Sequence, residues 1–183
     1  WTRLGWGRPF GSSMIGTNLD GAKTMCKGCP ANQSEGWDCQ GLDTHAFITG
    51  PNVDLSNQNL EMGFESIENK NWSGINLSNS ELNTAIIFNT NMSGANLSNT
   101  GFSELLTRLE DVDLSNADLT NVDLSTVQEI MNLNLSGANL SGANLQSLDT
   151  SMIFIDETTI FSEDTTCPDG NPYSPIDNPS CGW

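Results

Sequence analysis

Leucines recur every five residues along the middle of the chain. Residues 133–147 read LNLSG, ANLSG, ANLQS, and residues 112–126 read VDLSN, ADLTN, VDLST. The same grammar appears in TNMSG, ANLSN at 90–99 and in INLSN, SELNT at 75–84. Each unit is a small apolar residue, then Asn or Asp, then Leu, then two polar residues. A helix of 3.6 residues per turn would smear such leucines around its circumference, and a strand needs alternation by two. A chain that turns a corner every five residues instead places each Leu, and the small residue two before it, inside. Asn or Asp and the two following residues are left to water.

This grammar resembles the pentapeptide-repeat family over residues 53–162. The resemblance implies an all-β fold, a right-handed quadrilateral parallel β-helix with four pentads per coil. On that plan one face stacks Trp72, Met92, Leu114 and Leu135. The next stacks Leu55, Leu77, Leu97, Leu119 and Leu140, and a third stacks Leu60, Leu82, Phe102, Leu124 and Leu145. Asp113, Asp118 and Asp123 then ring one coil and face mostly Asn on the coils either side, so like charges are not stacked against each other. Three segments are expected: an N-terminal arm and cysteine-containing cap (1–45), the β-helix (46–162), and a disulfide-closed C-terminal cap (163–183).

The fourth face breaks the period. Leu60 to Trp72 and Phe102 to Leu114 each span twelve residues where ten are expected, and Leu124 to Leu135 spans eleven. The irregular corners are apolar and include Phe64, Ile67, Leu105, Leu106, Leu109, Ile130 and Met131, and the same column holds Phe88 in a coil without an insertion. Two readings are open. The bulged corners tuck these side chains into the core, or they form an exposed apolar strip, which on so polar a surface marks a contact site.

Charge and cysteines change the picture at the ends. The formal charge is −17, with only six Lys and Arg among 183 residues. Residues 1–40 carry four bases against three acids, net +1, whereas residues 41–183 carry two bases against twenty acids, net −18. So acidic a body disfavours nucleic acid and anionic lipid as partners. The arm is different: Trp1, Trp6 and Phe10 are interleaved with Arg3 and Arg8, and Trp and Arg are common interface anchors. The five cysteines lie outside the repeats. Cys167 and Cys181 are expected to pair across the turn-rich tail. Of Cys26, Cys29 and Cys39, a bridge involving Cys39, with Cys29 as its partner, is favoured. A zinc site from Cys26, Cys29, Cys39 and His45 is the weaker reading, since this is the single histidine. Stapled ends suit an oxidising compartment. A start at Trp1 is what removal of a targeting segment leaves, and what truncation leaves too.

Chemistry is hard to find. One His and one Tyr leave no Ser–His–acid set and no phosphate loop. No enzyme activity and no cofactor are expected, and no apolar run approaches a membrane span. Six of the seven N-x-S/T sequons arise from the repeat itself. The flanking cysteine motifs resemble those of exported members of the family, including thylakoid-lumenal ones. That resemblance implies a structural or interaction subunit docked on a larger protein assembly, such as a photosynthetic membrane complex. The alternative role known in the family is an acidic mimic of DNA that inhibits a type II topoisomerase. Ice or carbohydrate binding by the Ser78, Ser98, Thr120, Ser141 column is a third and weaker reading.

Overall fold

The computed structural model describes residues 25–26, 38–42, 45–58, 64–82, 84–102, 108–179 and 181–183. The chain winds as a parallel β-solenoid. One side is a column of single bridges, Asp54 to Asn76 to Asn96 to Asp118 to Asn139 to Ile160. Successive coils along it therefore take 22, 20, 22, 21 and 21 residues. A second side pairs β5 (Glu81–Leu82) with β7 (Gly101–Phe102) and continues through Asp123–Asn144–Thr166. The parallel ladder thus reaches past residue 162.

The corners explain the two polar residues that close each pentad. The amide of Ala95 donates to the Met92 carbonyl, that of Thr100 to Leu97, and that of Ala138 to Leu135, closing four-residue turns. The third residue of most such turns has positive φ: Gly74, Asn79, Gly94, Asn99, Asn116, Asn121, Gly137 and Gly142. That conformation selects Gly or Asn. The residue before the Leu caps the turn from the side, as when the Asn96 Oδ1 accepts from the Ser98 amide.

Inside, the leucine columns and the small residues between them are sealed from solvent. Leu77, Leu97, Leu119, Leu140 and Leu145 are fully buried, as are Ala138 and Ala143. The few inward hydroxyls donate to carbonyls: Ser80 to Leu55, Thr100 to Leu77 and Thr165 to Leu140, at 2.7–2.8 Å. Outside, side-chain amides bridge coils, with Asn76 donating to Asp54, Asn121 to Asn99 and Asn134 to Asp113. The acids of the central coil meet Asn on adjacent coils, as the sequence requires.

The irregular fourth side proves the most regular element of the structure. It forms a five-stranded parallel sheet, in spatial order β10 (Ile153–Phe154), β9 (Glu129–Asn134), β8 (Arg108–Asp113), β6 (Thr84–Asn91), β4 (Phe64–Glu68). β6 is eight residues long although its coil takes only 20, so the ladder on this side forms with or without surplus residues.

At the N-terminal end, β1 (Met25–Cys26) and β2 (Asp38–Leu42) flank β3 (His45–Thr49) in an antiparallel sheet. At the C-terminal end Cys167 takes a fully buried core position and bonds to Cys181, also buried, with Cα atoms 5.1 Å apart. The Tyr173 ring stacks on Phe161 at 5.3 Å, and Trp183 packs against the core.

Candidate docking face

The fourth side carries the departures from the polar surface grammar, and its register sorts them. Ile67, Ile87, Leu109 and Ile130 are aligned across β4, β6, β8 and β9. The first three are at most 2% exposed, and Ile130 is half-buried against the core. Leu109 is therefore a core residue and not part of a docking surface. The strand alternates by two, and Leu109 falls on the inward phase. Ile67 goes the same way.

The next position in each strand faces out: Glu68, Phe88, Glu110 and Met131 are aligned in one row. Glu68 is exposed, Phe88 and Glu110 are half-buried, and Met131 is 46% exposed. Acid and apolar side chains thus alternate across the sheet. A second outward row, two residues earlier, runs Ser66, Ile86, Arg108, Glu129. Arg108 ties the rows together, bonding to Glu110 and lying 3.5 Å from Glu129. Beyond a corner where Asn69, Asn89, Asp111 and Asn132 all take positive φ, a third row runs Asn71, Asn91, Asp113, Asn134, Phe154. Phe154 is 56% exposed where the earlier strands place a polar residue.

An open furrow of about 360 Å³ separates the corner column from this third row, lined by Asn69, Asn71, Asn89, Asn91, Asp111 and Asp113 among others. Its polar groups are already engaged. Asn89 donates to Asn69 at 2.7 Å and Asn132 to Asp111 at 2.8 Å, while Asn91 and Asp113 accept from the amides of Ser93 and Ser115. The Ser/Thr column on the neighbouring side is tied down likewise: the Ser98 and Ser141 hydroxyls donate to Asn96 and Asn139 at 2.7 Å.

Hydrogen bonds from the turns favour the charged form of Asp123 and Asp156. Burial pushes Asp123 up, but bonds from the Ser125 hydroxyl and amide and from Asn144 outweigh it and leave it below its ordinary 3.8. The Thr158 hydroxyl, then its amide, lower Asp156. Among the described residues no three His, Cys, Asp or Glu gather as a metal site, and no helix is long and apolar enough to cross a membrane.

Several sequence-derived site residues lie outside the described residues: Trp1, Arg3, Trp6, Arg8, Phe10, Cys29 and Leu106. Phe64 is described only as backbone in β4. Cys26, Cys39 and His45 are likewise described only as backbone, Cys26 paired with Ala46, Cys39 with Ile48 and His45 with Leu42. Of the remainder, Phe88 and Met131 share the outward row of the sheet, whereas Ile130 lies in the inward row with Leu109, half-buried against the core. Phe154, Met152 and Ile160 are exposed apolar residues that the period-five reading missed. Phe154 and Ile160 stand at the Asn/Asp position of the last coil, a substitution visible in the sequence once the register is known.

The family model of pentapeptide repeats matches residues 71–103 and 107–127, in eight copies. No curated protein matches the sequence. Among solved structures, HetL of the cyanobacterium Nostoc sp. Strain PCC 7120, a pentapeptide-repeat protein involved in heterocyst differentiation regulation, is 20% identical. The match covers 66% of this chain and 64% of HetL, with a TM-score of 0.26. QnrB1, a plasmid-mediated fluoroquinolone resistance protein, is 17% identical over 62% of this chain and 80% of its own, with a TM-score of 0.32. Rfr23 of the cyanobacterium Cyanothece 51142 is 23% identical over 64% of this chain and 58% of its own, with a TM-score of 0.18. The chain thus spans less than two thirds of HetL and of Rfr23.

Proposed function

We propose, from the premise that the coils of this chain are pentapeptide repeats, that it is a non-enzymatic interaction subunit which docks onto a larger protein assembly through the outer rows of its five-stranded sheet. The observation that carries this reading is the row Glu68, Phe88, Glu110, Met131, with the exposed Phe154 standing in the third row at the edge strand. The bridged sides keep Asn, Asp, Ser and Thr at most outward positions, whereas this side presents large apolar groups framed by carboxylates. A polar solenoid has no need of such groups for its own packing, and apolar groups clustered outside mark contacts. The aromatic and basic residues Trp1, Arg3, Trp6, Arg8 and Phe10 supply a second contact element.

The buried Cys167–Cys181 bridge is consistent with an oxidising compartment. The thylakoid lumen, on the lumenal side of a photosynthetic membrane complex, is the setting we favour, ahead of periplasm or an extracellular site. The topoisomerase-inhibitor reading needs acids in a stripe along the axis. The column Asp54, Asn76, Asn96, Asp118, Asn139, Ile160 has two acids in six positions, which favours the docking role. Gentle solubilisation and co-purification test it: the chain is expected to elute with an assembly several times its 19.7 kDa. Elution as a free monomer from native extract overturns the reading.

A further inference from the structure

The spacing and charge of the outer rows specify what kind of segment fits them. Across β4, β6, β8 and β9 the first row reads acid, apolar, acid, apolar, one residue per strand. Adjacent strands lie about 4.8 Å apart, so like groups repeat at about 9.6 Å: Glu68 with Glu110, and Phe88 with Met131. A ligand strand laid along the same direction does not match this step, because its same-face side chains recur at about 6.6–6.8 Å. A polyproline-II helix does, with three residues per turn and about 9.3 Å between residues on one face. The charge sign is equally definite. The rows and furrow together carry Glu68, Glu110, Asp111, Asp113 and Glu129 against Lys70 and Arg108, five carboxylates to two cations.

We propose that this face binds a polyproline-II segment of a partner protein, crossing the strands, with Lys or Arg at every third residue. This deepens the docking role proposed above and rests on it. One cation sits against Glu68, the next displaces Arg108 from Glu110, and the proline rings lie on Phe88 and Met131. Such a segment is ordered before it binds, so little entropy is lost on docking.

A labelled peptide of four Arg-Pro-Pro triplets, titrated into the full chain by fluorescence anisotropy at low and at 0.15 M ionic strength (about an 8 Å screening length), tests this. We expect saturable binding that weakens with salt, falls at least tenfold in Glu68→Lys and several-fold in Met131→Ser, and is unchanged in Asp118→Asn on the adjacent side. Glu68→Gln serves as the milder variant, and circular dichroism verifies each fold. A flexible peptide of four Arg-Gly-Ser triplets is expected to bind at least fivefold more weakly. Equal binding of the two peptides, or indifference to Glu68→Lys and Met131→Ser, overturns the proposal. If serine at Trp1, Arg3, Trp6 and Arg8 raises the peptide's affinity tenfold, the chain's own arm occupies the face, and the assignment to a partner falls. A chain that co-purifies with its assembly yet ignores both peptides refutes this inference alone; one that does neither refutes the docking role as well.

Discussion

Individual residues in the turns are held by backbone conformation as much as by side-chain chemistry. Gly142 and Gly94 share a positive φ, +69° and +64°, but differ in surroundings. A Cβ on Gly142 lies 2.3 Å from the Asn121 Oδ1, whereas one on Gly94 meets nothing within 4 Å. Asn121 cannot simply rotate away, because its Nδ2 donates to Asn99. Gly94→Ala is expected to cost about 1–2 kcal/mol, the left-handed penalty alone. Gly142→Ala costs more than that, and Gly94→Asn costs least; urea titrations rank the three. A second residue-scale expectation concerns acid. Asp123 and Asp156 have folded pKa values below their ordinary 3.8, so their contribution is fully present above that value and is lost as pH falls through the lower folded one. The urea midpoint should decline as pH falls below about 4, and the double variant Asp123→Asn, Asp156→Asn should decline less steeply. An equal slope in the two proteins sinks the assignment.

At the scale of elements, the sheet on the fourth side separates neighbours that look alike in sequence. Leu109 and Met131 are both apolar residues in surplus segments, yet Leu109 is 2% exposed and Met131 46%. Leu109→Ala is expected to destabilise by about 2–5 kcal/mol, while Met131→Ser leaves the melting temperature nearly unchanged. Comparable losses in thermal melts mean that the strand phases are wrong. This is also where reading the sequence reached its limit. The bridged sides were legible because each Leu, its preceding Asn or Asp and its small partner recur coil after coil, at Ile75–Asn79, Ala95–Asn99, Ala117–Asn121 and Ala138–Gly142. The fourth side was not, because segments of twelve, twelve and eleven residues leave the phase of an alternating strand undetermined until it is paired with the next coil. The requirement for Asn or Gly two residues after Leu was in plain view at Asn99, Asn121 and Gly142, but it reads as mere polarity until φ is known. Cys167 could be paired with Cys181, though not recognised as a core residue of the last coil.

Along the axis, each coil among the described residues is bonded to the coils before and after it. After the last described coil, the bridge between Cys167 and Cys181, fourteen residues apart, closes the tail. Closing such a loop contributes about 3 kcal/mol in the chain-entropy model. Both cysteines are fully buried, so reduction should be slow in the folded protein and accelerate with local opening of the tail. Thiol trapping against denaturant concentration measures this, and rapid reduction in native buffer contradicts it.

The varying coil length has one more implication. Three sides keep a near-fixed count of residues, and most of the slack is taken up on the fourth, so that side can gain, lose or exchange residues while the leucine columns stay in step. A lineage carrying this fold could therefore change which protein it recognises without renegotiating its foldability, the two traits being written on different sides of the same thread.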